Sequence, residues 1–264
     1  MYNEPLRPQF HFTARAGWLN DPNGLVFFDG VYHMFFQHNP FDTKWGNMTW
    51  GHAVSTDLVH WQQVENAILP DRLGTAFSGS AAVDWRTTTG FGEAGVPPLV
   101  AMFTSAGGTS PESAGQPFTQ SIAFSADGGT TWQPYSGNPV LGHIVESNRD
   151  PRILWHEPTE SWAMALYLDK NDYALFTSPN LKDWTRTCDV SIPDTSECPD
   201  FFPMAQDDDP AHVKWVFWGA NGCYLLGAFD GKTFVPEEGP CRLDSGANFY
   251  AAQTWSDIPE ADGR

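Results

Sequence analysis

One pattern recurs along the chain and restricts its fold more than any other: a short apolar strand, a polar turn, and a closing aromatic. It reads Trp50-Gly51-His52-Ala53-Val54-Ser55-Thr56-Asp57-Leu58-Val59-His60-Trp61 first. It returns as Ser121-Ile122-Ala123-Phe124-Ser125-Ala126-Asp127-Gly128-Gly129-Thr130-Thr131-Trp132 and again as Tyr173-Ala174-Leu175-Phe176-Thr177-Ser178-Pro179-Asn180-Leu181-Lys182-Asp183-Trp184. A weaker copy runs from Tyr224 to Phe234. The closing aromatics Trp61, Trp132, Trp184 and Phe234 recur at roughly 50 to 70 residues, the scale of a propeller blade.

Two apolar strands precede each copy. They are Leu25 to Phe28 with Tyr32 to Gln37, Ala81 to Trp85 with Leu99 to Thr104, Ile153 to His156 with Trp162 to Leu168, and Phe201 to Ala205 with Lys214 to Gly219. Asp29-Gly30 joins the first pair and is a strong hairpin signal. A fourth strand, such as Thr185 to Ile192, makes each unit a four-stranded antiparallel blade. Helical periodicity is weak throughout. A fifth unit opens at Tyr250-Ala251-Ala252-Gln253-Thr254-Trp255, and the stretch Asp257 to Arg264 reads as a hairpin turn with no returning strand. The expectation is an all-β, five-bladed propeller over residues 1–264, truncated within blade five.

Composition narrows the partners. The net charge is −18, which argues against nucleic acid and anionic membrane, since both require clustered Lys and Arg. Aromatics reach 14%, with 12 Trp, against 17% charged residues, a balance suited to stacking on neutral sugar. No run of about 18 apolar residues exists to span a membrane. The start Met1-Tyr2-Asn3-Glu4-Pro5 lacks the apolar core of a signal peptide, so the expected location is cytoplasmic, or secreted or periplasmic if a leader has been removed. Cys188, Cys198, Cys223 and Cys241 lack zinc-knuckle spacing and are compatible with disulfides or free thiols. The acidic run Asp207-Asp208-Asp209-Pro210 reads as a solvated hairpin tip.

The chemistry gathers ahead of the innermost strands, whose leading ends rim one mouth of a propeller channel. There the five units carry Asn20-Asp21-Pro22-Asn23-Gly24, Phe77-Ser78-Gly79-Ser80, Arg149-Asp150-Pro151-Arg152, Glu197-Cys198-Pro199-Asp200 and Asn248-Phe249-Tyr250. Asp21, Ser78, Asp150, Glu197 and Tyr250 are thereby aimed at one point. Three carboxylates meeting in an aromatic funnel repel one another, and function explains that arrangement better than three unrelated turn acids do.

The ordered motifs Trp18 to Gly24, Phe77-Ser78-Gly79, Arg149-Asp150-Pro151 and Glu197-Cys198 resemble those of glycoside hydrolase family 32, the invertases, exo-inulinases and levanases. The resemblance covers about residues 8 to 258. It implies a five-bladed propeller normally followed by a β-sandwich domain, which this sequence lacks. It further implies Asp21 as nucleophile, Glu197 as acid and then base, and Asp150 as the carboxylate that holds ring hydroxyls and stabilises positive charge. Arg149 would pair with a carboxylate, while Asn20, Gln37, Trp45, Phe77 and Ser78 would contact the sugar. Two carboxylates do the proton and nucleophile work, so no metal and no organic cofactor is implied. His52 is as compatible with a core position as with a contact. Cys198 has no evident base beside it and reads as packing.

The implied reaction is retaining release of terminal β-D-fructofuranosyl residues from a fructan or sucrose substrate. The run Trp45 to His52 looks closer to the exo-acting inulinases and levanases than to sucrose-specific invertases. A carbohydrate-binding propeller without catalysis is the rival class, and it would be expected to lack one of the three acids.

Overall fold

In the computed structural model, which describes residues 4–8, 10–92, 95–207 and 209–259, each repeat is one four-stranded antiparallel sheet. Blade one is β1 (Trp18–Phe28), β2 (Val31–Asn39), β3 (Thr49–Ser55) and β4 (Gln62–Gln63). Blade two is β5 (Thr75–Val83), β6 (Leu99–Ala106), β7 (Phe118–Ser125) and β8 (Gln133–Pro134). Blade three is β9 (Arg149–His156), β10 (Ser161–Asp169), β11 (Asp172–Ser178) and β12 (Thr185–Ser191). Blade four is β13 (Asp200–Gln206), β14 (Asp209–Trp218), β15 (Cys223–Phe229) and β16 (Phe234–Arg242). Within every sheet the strands pair in chain order, the meander of an all-β propeller.

The repeated turn has a local cause. After the third strand of blades one to three, a Ser hydroxyl meets the Asp or Asn two residues on: Ser55 with Asp57, Ser125 with Asp127, Ser178 with Asn180. That acid or amide then accepts backbone N–H groups further along, as Asp57 does from Val59 and His60. The closing indole donates back across the turn, from Trp61 to Leu58 O at 3.2 Å, Trp132 to Gly129 O at 3.1 Å and Trp184 to Leu181 O at 3.1 Å. The Asp29-Gly30 turn has both residues at positive φ, 47° and 81°, the two-residue hairpin its sequence predicts.

Apolar layers fill the spaces between neighbouring blades. Val26, Phe35, Trp50, Ala81 and Phe103 join blades one and two, Met102, Ile122, Ile153, Trp162 and Met164 join two and three, and Tyr173, Leu175, Phe201, Trp215 and Phe217 join three and four. Gly24, at φ 53°, sits where a Cβ would lie 2.8 Å from the Phe35 ring and 3.0 Å from that of Trp50, so packing and backbone both require glycine.

The fifth unit forms no sheet among the described residues. Its segment crosses the inner strands instead. Ser256 pairs with β1, accepting from Phe27 N at 2.9 Å and donating to Leu25 O at 2.8 Å. Gln253 donates to Gly79 O, Asp257 accepts from Val83 N, Arg152 donates to Thr254 Oγ1, and Thr254 N donates to Asp200. Arg152 and Asp200, buried ion-pair partners 2.7 Å apart, tie blades three and four to this segment. The predicted tip at Asp207 to Pro210 includes Asp208, and the predicted terminal turn includes residues 260–264; those positions lie outside the described residues. All four cysteines are free.

Blade one also buries a histidine pair. His33 Nδ1 and His52 Nε2 lie 3.1 Å apart, and the His52 ring stacks on Phe35 with centroids at 4.3 Å. Burial lowers His33 to about 4, and burial together with His33 lowers His52 to about 3. The fold therefore favours the neutral rings. Their contribution is intact above the unfolded value near 6.5 and is lost as pH falls below it. The expected result is a steep fall in Tm between pH 6.5 and 4, corresponding to roughly 3 kcal/mol for the first proton taken up. A His52→Gln variant should flatten that slope, and parallel melting curves for variant and parent would disprove it.

Candidate active site

Three of the predicted positions share a backbone device that the sequence does not display. Asn20-Asp21-Pro22-Asn23 reads as a turn before a strand, yet β1 runs straight through it, with Trp18 to Asn20 paired against Asn39 to Gln37. The ladder skips one residue between Asn20 and Pro22, and that residue is Asp21. In β5 the ladder skips between Phe77 and Gly79, leaving out Ser78. In β9 the register shifts between Arg149 and Arg152, around Asp150. Each is a β-bulge near the leading end of an innermost strand, which turns a side chain out of the sheet's alternation. Glu197 lies just ahead of β13.

Non-glycine residues at positive φ mark the same place: Asp150 at 63°, Glu197 at 57° and Cys198 at 36°. Each costs about 1–3 kcal/mol and persists only because surrounding contacts hold it.

The side chains converge. Ser78 Oγ donates to Asp21 Oδ2 at 2.7 Å. Asp150 Oδ2 accepts from the Cys198 N–H at 3.0 Å. The Cys198 sulfur stands 3.5 Å from Asp150 Oδ2 and 3.9 Å from Asp21 Oδ2, so two carboxylates flank the residue next to Glu197. Arg149 hydrogen-bonds Glu197 Oε1, lies 3.8 Å from Asp150 Oδ2 and stacks its guanidinium over Tyr167 at 4.8 Å. The Tyr250 hydroxyl donates to Glu197 Oε2, so the two oxygens of that carboxylate have separate partners.

Electrostatics follow from burial. Burial pushes Asp150 up to about 7, against the pull of Arg149 and the Cys198 N–H, with Asp21 and Glu197 adding to the rise. Burial opposes the charge on Arg149, but Asp150 and Glu197 outweigh it and raise that pKa. Burial and the three neighbouring carboxylates push the Cys198 thiol well up, which keeps it protonated and suits packing rather than attack.

The remaining predicted residues surround this cluster at different depths. Trp45 is exposed and meets Phe77 edge to face at 5.8 Å, forming an aromatic wall. Asn20 accepts from Trp18 Nε1 at 2.6 Å. Gln37 is buried behind the site and donates to Ala76 O at 3.0 Å. With the Asn23 amide turned to satisfy both its ends, Asn23 accepts from Gln37 Nε2 at 2.9 Å and donates to Ser78 Oγ at 3.3 Å. Gln37 thus reaches Asp21 through Asn23 and Ser78. Trp50 is fully buried and donates to Phe77 O, and His52 belongs to the buried pair. Tyr250, aimed at the same point as the leading residue of the fifth unit, meets Glu197 there and is part of the site.

Residues 11–264 match the family model described as Glycosyl hydrolases family 32 N-terminal domain. The chain belongs to glycosyl hydrolase family 32. It is 42% identical to the levanase of Bacillus subtilis, an alignment covering 100% of this chain and 40% of that protein. It is 37% identical to an invertase of Schizosaccharomyces pombe, covering 95% of this chain and 46% of that one. Among solved structures, exo-inulinase from Aspergillus awamori superposes with a TM-score of 0.86 at 35% identity, covering 98% of this chain and 58% of that chain. The chain spans about half the length of the curated relatives it matches.

Proposed function

We propose that this family 32 chain is the catalytic part of a retaining β-fructofuranosidase, releasing terminal non-reducing β-D-fructofuranosyl residues from inulin- or levan-type fructans and from sucrose. The observation that carries the reading is the meeting of Asp21, Asp150 and Glu197 around Cys198, with Glu197 held by Arg149 and Tyr250. Two carboxylates with separate partners suit the separate roles of nucleophile and acid.

In this reading the Ser78 hydroxyl fixes one oxygen of Asp21, and the other attacks the anomeric carbon of the fructosyl ring. Glu197 gives its proton to the departing oxygen. A covalent fructosyl-enzyme forms at Asp21. Glu197, now a carboxylate, takes a proton from water, which attacks the same carbon from the face the leaving group vacated and restores the original configuration. Asp150 lies beside the ring, bonds its hydroxyls, and opposes the positive charge that develops on it. Trp45 and Phe77 wall the fructosyl ring, with Asn20 and Arg149 as polar contacts.

The finer reading of the fold is five blades, with residues 250–257 as the innermost strand of the fifth. Its support is the Ser256 bridge to β1 and the bonds from Gln253, Thr254 and Asp257 to the other inner strands. The exo-acting preference rests on the run Trp45 to His52; identities of 42% to a levanase, 37% to an invertase and 35% to an exo-inulinase favour a fructan substrate without ranking exo-inulinase above invertase.

The test is incubation of the full-length protein with sucrose, inulin and levan, following free fructose by chromatography and its first-formed anomer by NMR. Free β-fructose from all three, without short oligomers, is expected. Fructose from none of them would overturn the reading.

A further inference from the structure

Asp150 is held in place by a neighbouring blade. Because it sits in the β9 bulge at φ 63°, its backbone N–H is turned away from the β9–β10 ladder. That N–H donates to Thr104 Oγ1, on β6 of blade two, at 3.0 Å. The Thr104 hydroxyl passes its own hydrogen to Gln120 Oε1, on β7, at 2.7 Å, and Gln120 Nε2 donates to Asn148 O at 3.1 Å. Beyond the bulge, Ser80 Oγ on β5 donates to Pro151 O at 2.9 Å and accepts from Ile153 N at 2.8 Å. Ser80, Thr104 and Gln120 are all 0% exposed.

Burying two hydroxyls and an amide between blades costs free energy unless each is bonded, and a valine or leucine would fill the same space without that requirement. Here each of these groups bonds the segment 148–153, and Thr104 and Gln120 also bond each other. The bulge would otherwise be free to relax out of the left-handed region, carrying the carboxylate with it. We infer that Ser80, Thr104 and Gln120 form a cross-blade clamp whose role is to position Asp150 for catalysis. The inference rests on the proposed role of Asp150.

A matched control is built into the same strands. Ser105 and Ser121 are buried and bond each other at 2.8 Å, one residue along from Thr104 and Gln120, with no connection to Asp150. Thr104→Val should lower kcat on sucrose about 10–100-fold with a smaller change in KM, as small misplacements of a catalytic group do. It should also move the acid–base profile of kcat, because the surroundings of Asp150 change. Thr104→Ser should restore most of the rate. Ser105→Ala, losing a comparable buried bond, should lower Tm and leave kcat near that of the parent. If Thr104→Val does not fold, Ser80→Ala is expected to give the same loss and profile shift.

Equal kcat in Thr104→Val and the parent, or a Thr104→Ser variant no better than the valine, would overturn the clamp. Parent and Asp150→Asn proteins in the same assay separate the two readings. An inactive full-length parent defeats the proposed function. An active parent, a disabled Asp150→Asn and a fully active Thr104→Val defeat the clamp alone.

Discussion

Asp21→Ala and Glu197→Ala should each leave the propeller folded and cut fructose release by about 10³–10⁵-fold, yet respond differently to a change of substrate. Neither side chain belongs to the apolar layers between blades, so their loss removes site contacts alone: the Ser78 bond in one case, the Arg149 and Tyr250 bonds in the other. The two variants fail for different reasons. Without Asp21 no covalent intermediate can form, and the leaving group makes no difference. Without Glu197 the first step fails because the departing oxygen receives no proton, and an aryl fructoside, whose leaving group needs none, should regain much of that step. A small nucleophile such as azide should then rescue the Asp21 variant with inverted product and the Glu197 variant with retained product. Product configuration by NMR checks the assignment. Aryl-fructoside rescue of Asp21→Ala in preference to Glu197→Ala would reverse the two roles.

What could be read ahead of the structure was local. The Ser-x-Asp/Asn turns with their closing indoles are set by hydrogen bonds within a few residues, so they survive in the sequence as a visible repeat. The acids were legible because they fall at the same place in successive units. The bulges were not. Pro22 and Gly24 carry a turn signature, and only pairing with Gln37 to Asn39 reveals that the strand continues past them. Gln37, a sugar contact by the resemblance, is buried and donates to Ala76 O of the next blade, a partner that no local pattern displays. Thr104 and Gln120 look like ordinary strand residues, because the segment they hold belongs to another blade, 46 and 28 positions further along the chain. Cross-blade contacts of this kind have no short-range signal. The fifth unit, seen in sequence as a lone strand, bonds in the structure to four different inner strands rather than to a sheet of its own.

Asp150→Asn should make the protein more stable at pH 8 while removing most of its activity. The carboxyl of Asp150 lies at about 7 in the folded chain, pushed up first by burial, against roughly 3.9 in an unfolded one. The fold therefore favours its protonated form. Stability is present in full below the unfolded value and declines as pH rises from about 4 to about 7, where the buried carboxylate must carry its charge. An asparagine is neutral at every pH and escapes that decline. Arg149 keeps its hydrogen bond to Glu197 in the variant, and the Cys198 N–H can still donate to the amide oxygen. After discounting the weaker bonds of the amide, a gain of about 1–2 kcal/mol at pH 8 is expected, or roughly 2–6 °C in Tm. At pH 5 the parent is itself largely protonated at this position, and the two melting curves should draw together. Activity should move the other way, falling about 10²–10³-fold, because an amide cannot oppose the positive charge on the reacting ring. Melting curves at the two pH values with a fructose-release assay test both halves. A variant less stable than the parent at pH 8, or one that still turns over normally, would mean that Asp150 carries no buried charge worth keeping for catalysis.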